Sequence, residues 1–305
     1  MAPEARKGRR PIRGDPVGGV AEILSRMRAG GYHLRHAEEV ALRATLARRN
    51  GVRALILEGA PGTGKTALGR ALAGAWGAEE IYLLCHHWLS DEELFLGVDV
   101  GRVAAGVDRP EDAYRPGALL RAVEASRRGP AVLIVDELDK APQRAEALLL
   151  EYLQSGVVHG PRGERWAART DNLVVFLTTN GVRPLMEPTL RRGLRVAMTF
   201  LPPEVESQIL RRLTGARPGV CNLAVRALNC VRSGGESSPS LQEAAHLLED
   251  MRACTGAADV AVLVQGWVVK GEEDTLTLDK TFAPGAQPGT GVASLASSLW
   301  GEARR

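Results

Sequence analysis

Gly59-Ala60-Pro61-Gly62-Thr63-Gly64-Lys65-Thr66 decides the fold of this chain. An apolar run, Ala54-Leu55-Ile56-Leu57, precedes it, and Ala67 to Ala73 (ALGRALA) follows with good helix formers at helical spacing. Strand, glycine-rich turn and helix start form the setting in which G-x-x-x-x-G-K-[ST] reads as a phosphate-binding loop. Glycines at 59, 62 and 64 open backbone angles closed to other residues, so successive N–H groups can turn toward a polyphosphate. The positive end of the following helix adds to that field. The pattern predicts an ATP site at 59–66, with the Lys65 ammonium between the β- and γ-phosphates and the Thr66 hydroxyl on Mg²⁺.

A second landmark lies further on. Ala131-Val132-Leu133-Ile134-Val135 is a short, β-branched apolar run bounded by Gly129-Pro130, the pattern of a strand buried on both faces of a parallel sheet. It ends in Asp136-Glu137, where ligands bind in open α/β sheets. Asp136 is expected to hold Mg²⁺, mostly through water, and Glu137 to polarise the attacking water, with Asp139 as the fallback acid. Leu173-Val174-Val175-Phe176-Leu177 is a similar strand closed by Thr178-Thr179-Asn180. Asn180, beside the acidic pair's strand, is placed to orient a water against the γ-phosphate.

Composition frames these motifs. The 305 residues are 45% hydrophobic and 25% charged, an ordinary globular mixture with room for a large domain and a smaller one. Aromatics are only 4%, so the core must be aliphatic. A net charge of +3 is too mild to mark a nucleic-acid binder. The excess is local: Arg6, Lys7, Arg9, Arg10 and Arg13 crowd the start. No apolar run approaches the roughly 18 residues needed to span a bilayer, and the start lacks a signal-peptide core. Cys85, Cys221, Cys230 and Cys254 show neither zinc spacing nor a disulfide framework, which suits a reducing, cytoplasmic setting.

Taken in order, residues 1–19 read as a basic disordered arm and 20–201 as an α/β domain. Residues 202–282 read as a small all-helical domain, and 283–305, rich in Gly, Pro, Ala and Ser, as a flexible tail. The α/β part predicts helices at 20–29 and 36–50 and strands at 53–58, 80–84, 131–135, 173–177 and 195–200. Residues 90–117 break helical periodicity with Gly97, Gly101 and Gly106 and read as a helix interrupted by an inserted loop. Residues 156–167 have the form of a small hairpin. Strand and helix alternate as in a three-layer parallel sandwich, the P-loop NTPase arrangement.

GAPGTGKT, VLIVDELDKAP, FLTTN and EPTLRRGLR occur in the order found in AAA+ ATPases. DELDKAP followed by LLLEYLQSG, with YRPGALLRAV upstream and GWVVKGEEDTLTLDK near the end, resembles the MoxR-like, dynein-related subgroup. This resemblance covers roughly residues 20–282 and implies an AAA+ core with a helical lid. It places Lys65 and Thr66 on the Walker A pair, Asp136 and Glu137 on the Walker B pair and Asn180 on sensor 1. Arg192 falls on the arginine finger that acts on a neighbouring subunit, with Arg191 and Arg195 in reserve.

The resemblance further implies a ring oligomer, a hexamer in this family, that hydrolyses ATP to remodel or mature a protein client. Relatives often work with a partner carrying a von Willebrand factor A domain, and their insert and hairpin face the ring pore. A nucleic-acid motor and a slow-turnover assembly scaffold are the alternatives. Arg162, Arg165 and Trp166 in the hairpin favour the motor; the acids Asp99, Asp108, Glu111 and Asp112 in the insert oppose it. One departure stands out: Ser238-Pro239 is followed by Ser240, not by the sensor 2 arginine.

Overall fold

The computed structural model describes residues 16–106 and 110–305. In chain order the first part holds α1 (Pro16–Ala29), α2 (His36–Ala47), β1 (Arg53–Glu58), α3 (Lys65–Trp76) and β2 (Glu79–Leu84). Then come α4 (Asp91–Leu94), β3 (Leu96–Val98), α5 (Val100–Ala105), β4 (Tyr114–Pro116), α6 (Ala118–Arg128) and β5 (Ala131–Asp136). It closes with α7 (Gln143–Ser155), β6 (Val157–His159), β7 (Arg165–Ala167), β8 (Leu173–Thr179), α8 (Glu187–Leu190) and β9 (Leu194–Ala197). Six helices follow: α9 (Pro203–Thr214), α10 (Pro218–Gly234), α11 (Leu241–Asp250), α12 (Ala257–Trp267), α13 (Glu272–Phe282) and α14 (Thr290–Arg304).

The chain divides into two compact units, one running through Gly59 and resuming over Lys65–Met198, the other made of Ala60–Gly64 and Thr199–Arg305. In the first, five parallel strands lie in the order β2-β5-β8-β1-β9. Every residue of β5 and of β8 is buried, as their unbroken apolar runs require. Side chains alternate across the sheet: Leu133, Val135, Val175 and Leu177 join the core under α6 and α7. Val132, Ile134, Val174 and Phe176 join the core under α1, α2 and α3. That is the three-layer α/β sandwich. The register sets Asp136 at the end of β5 with β2 on one side and β8 on the other.

Three expectations are corrected. Residues 96–98 and 114–116 pair as an antiparallel ribbon that carries α5, in place of an interrupted helix. Three-residue strands give too little alternation to be read from sequence. The expected tail beyond 283 instead forms α14, with Val292, Leu295, Ala296 and Leu299 buried in the helical core. Its Ala and Ser content hides an apolar stripe at spacings of three and four. The expected arm at 1–19 overlaps α1, which begins at Pro16; residues 1–15 lie outside the described part. No described helix is long and apolar enough to cross a membrane.

Candidate nucleotide site

The loop after β1 is shaped by its glycines. Gly62 (φ 80°) and Gly64 (φ 94°) take left-handed angles, and a side chain at either would be strained. Gly59 N–H donates to the Thr179 carbonyl at 3.3 Å, tying the loop's start to β8. Thr63 Oγ1 closes the turn on the Ala60 carbonyl at 2.8 Å. Helix α3 then starts at Lys65, whose Nζ donates to the Gly59 carbonyl at 2.6 Å. Lys65 is only 6% exposed. Burial pushes its pKa down, while the nearby carboxylates of Asp136, Asp139 and Glu137 pull it back up. A Cβ at Gly64 would meet nothing within 4 Å, so the loop is open at that position. Those features fit an anion bound by N–H groups, a helix start and one cation.

The acidic pair sits within reach of α3. Thr66 Oγ1 donates to Asp136 Oδ1 and Oδ2 at 2.9 and 3.0 Å. Thr178 Oγ1, from β8, donates to Oδ1 at 2.6 Å, and Tyr82 Oη, from β2, to Oδ2 at 2.9 Å. Burial, then its bond to Asp136, pushes the Tyr82 pKa up to about 12. A hydroxyl and a carboxylate already touching make the donor set of a hard divalent cation that brings its own phosphate and water oxygens. The residues present therefore fit nucleotide-borne Mg²⁺, with Thr66 and Asp136 as its protein holders.

Glu137 is the one non-glycine residue with positive φ among those described, at φ 56° and ψ 47°. Its N–H donates to Thr178 Oγ1 at 2.9 Å. Asn180 Nδ2 donates to Oε1 at 2.9 Å, and Lys140 Nζ lies 2.7 Å from Oε2. The carboxylate is thus gripped at both oxygens. A left-handed glutamate costs about 1–3 kcal/mol, and such outliers cluster where chemistry is done. Asp139, only 3% exposed, serves differently: its Oδ2 accepts from the backbone N–H of Asn180 and Val182 at 3.2 and 2.9 Å. It holds the turn that presents Asn180.

The arginines near α8 differ in their partners. Arg191 pairs with Glu187 at 3.0 Å, and Arg195 with Glu58 at 2.9 Å. Arg192 meets neutral oxygens, Gln154 Oε1 at 3.1 Å and the Pro188 carbonyl at 3.3 Å. At the position where the resemblance expects a sensor 2 arginine, Ser240 is the N-cap of α11. It receives Glu243 N–H at 3.3 Å, and Glu243 Oε2 accepts Ser240 N–H at 2.6 Å.

Sequence reasoning brought Lys65, Thr66, Asp136, Glu137 and Asn180 to this place and overlooked Tyr82, Lys140 and Thr178. Thr178 and Lys140 could have been found, each a polar residue in the same strand-end segment as a chosen one. Tyr82 gave no signal, since β2 buries only Ile81 and Leu83 and its other residues read as a solvent-facing row.

A search of curated proteins returns no match. Among solved structures the fold is shared with a RuvB mutant of Thermotoga maritima, at 14% identity and a TM-score of 0.50, over 82% of this chain and 76% of that one. Residues 54–193, which span the lysine, the acidic pair, the asparagine and both Arg191 and Arg192, match the family model of the AAA domain (dynein-related subfamily).

Proposed function

We propose that this protein is an ATP-hydrolysing, ring-forming AAA+ machine of the MoxR-like kind that remodels or matures a protein client. The observation that carries the reading is Glu137: strained, one residue from the Asp136–Thr66 contact, and gripped between Asn180 and Lys140. A solvated acid after a strand has no need of such an arrangement.

The residues divide the work. Backbone N–H groups of Gly62 and Gly64 and the Lys65 ammonium bind the phosphates, the lysine giving up the Gly59 carbonyl. Thr66 and Asp136 hold Mg²⁺, which offsets charge developing on the transferred phosphoryl group. Glu137 keeps a second lone pair on each carboxylate oxygen beyond those facing Asn180 and Lys140, and accepts a proton from the attacking water. Asn180 holds Oε1 and the water's orientation. Arg192, with no carboxylate among its described partners, offers its whole charge to a neighbouring subunit's γ-phosphate. The working assembly is a hexameric ring, and a von Willebrand factor A protein is its expected partner.

The nucleic-acid reading loses its main support in the hairpin. Trp166 is packed against the core under α6 and α7, and a Cβ at Gly160 would fall 2.8 Å from its ring. It is therefore not presented for stacking on a base.

The test is a mixing experiment. Arg192→Ala and Glu137→Gln are each expected to lose on the order of 10³ in turnover. Co-expressed and co-purified, with light scattering to confirm mixed assemblies, they are expected to regain activity where an intact Glu137 meets an intact Arg192. Mixed assemblies no more active than either variant alone would overturn the ring reading.

A further inference from the structure

Asp136 is guyed from both of its neighbouring strands. Thr178 Oγ1 reaches across from β8 to Oδ1 at 2.6 Å, and Tyr82 Oη reaches across from β2 to Oδ2 at 2.9 Å. The two anchors take different oxygens, so together they fix the plane of the carboxylate. Thr66 divides its single donor between both oxygens.

The tyrosine is built to make this reach. It pairs in register with Ile134, two residues before Asp136, so its long side chain lies forward along the same face of the sheet. Tyr82 is 37% exposed, an unusual resting place for a tyrosine whose hydroxyl donates to a buried carboxylate. Arg70 braces the ring from outside, with its guanidinium carbon 5.3 Å from the ring centroid. Arg70 Nε is itself held by Glu80 Oε1 at 3.3 Å. Arg70 stands one helical turn after Thr66 on α3, and Glu80 two residues before Tyr82 on β2. A residue this exposed adds little to the core. What the arrangement secures is the hydroxyl on Asp136.

We propose that Tyr82 is a positioning residue for the nucleotide's divalent cation, fixing the Asp136 carboxylate in the plane that receives it. This rests on the nucleotide reading above. Groups that orient a metal carboxylate from outside are worth about 10–100-fold in metal affinity when removed. Tyr82 shares the task with Thr178, so its removal belongs at the lower end, about tenfold. Nucleotide binding without the cation does not pass through Asp136 and is expected to stay as it was.

The experiment uses the full chain and Tyr82→Phe, which keeps the ring, the Arg70 stacking and the surface shape and deletes only the hydroxyl. A fluorescent ATP analogue is titrated in excess Mg²⁺ and again in excess EDTA, and the Mg²⁺ concentration at half-saturation is measured with the analogue fixed. The expected result is a Mg²⁺ midpoint raised about tenfold, with affinity in EDTA and melting temperature unchanged. Arg70→Ala is expected to shift the midpoint in the same direction by less. An unchanged or lowered midpoint in Tyr82→Phe overturns the proposal. So does an equal loss with and without Mg²⁺, which would mark a structural role. If the parent protein binds no nucleotide in either buffer, the nucleotide reading itself fails and the proposal falls with it.

Discussion

Asp274 in the helical unit and Asp136 in the α/β unit are both buried carboxylates, and they are held by opposite kinds of donor. Asp274 is fully buried and accepts the backbone N–H groups of Lys270 (2.8 Å), Glu236 (2.9 Å) and Ser237 (3.2 Å), besides the Ser237 hydroxyl (2.7 Å). Burial alone would push its pKa up, yet those donors hold it below the ordinary 3.8. Asp136 is held by three side-chain hydroxyls. The same contrast separates Glu206 from Glu137. Glu206 meets Arg232 Nη1 with both oxygens at 2.8 Å, the pair almost wholly enclosed and the guanidinium 3.8 Å from the Phe200 ring centroid. Glu137 is gripped by Asn180 and by Lys140, a lysine 41% exposed. Backbone donors and enclosed ion pairs stay put for the life of the fold. Side-chain hydroxyls and surface lysines can let go, which a site that must exchange ligands requires.

Four substitutions would break or sharpen this contrast. The largest effect is expected from Glu137→Gln, which should slow ATP turnover by about 10²–10⁴ while leaving nucleotide binding intact. Its melting temperature should not fall, and a clear drop in calorimetry would show that Glu137 is structural after all. Next is Glu206→Ala, which strands Arg232 as a buried charge and should remove about 3–5 kcal/mol of stability in denaturant titration. A loss below about 1 kcal/mol would mean the helical unit treats its acids as loosely as the strand end does.

Asp274→Asn follows, at about 1–3 kcal/mol near neutral pH. Because the folded pKa is depressed, the charged carboxylate stabilises the fold above the unfolded value of 3.8. That contribution disappears as pH falls through the lower folded value, so parent and variant should converge in acid. A gap independent of pH from 7 to 3 would refute the depressed pKa. The smallest effect is expected from Lys140→Met. A half-exposed ion pair is worth about 0.2–1 kcal/mol, so stability should change by no more than that. Basal turnover should rise, by at most about fivefold, as Glu137 loses one of its two restraints. A fall in turnover would make Lys140 a working part of the site.

Much of this was legible in the residues, and the reasons are physical. β1, β5 and β8 are central strands, and burial on both faces leaves an apolar run that no loop imitates. The loop at 59–66 declares itself because its chemistry needs glycine and lysine at fixed places in the chain. The Asp136–Thr66 contact joins residues 70 positions apart and was inferred because each motif implies the other. Tyr82 has no such implication. It sits on an edge strand among alternating exposed residues, and only the parallel register with β5 carries its hydroxyl to Asp136. Ser240 was read as a missing arginine, and its use as the N-cap of α11 depends on Glu243 three residues on.

The left-handed Glu137 also bears on how such a protein changes under selection. Glycine takes that backbone angle without strain, so replacing Glu137 with glycine relieves about 1 kcal/mol or more while deleting the proposed base. A library screened for heat resistance alone should therefore enrich glycine at 137 and return folded, inert molecules. Read the other way, a lineage that keeps glutamate there is paying continuously in stability, and only a continuing demand for turnover would keep it from drifting.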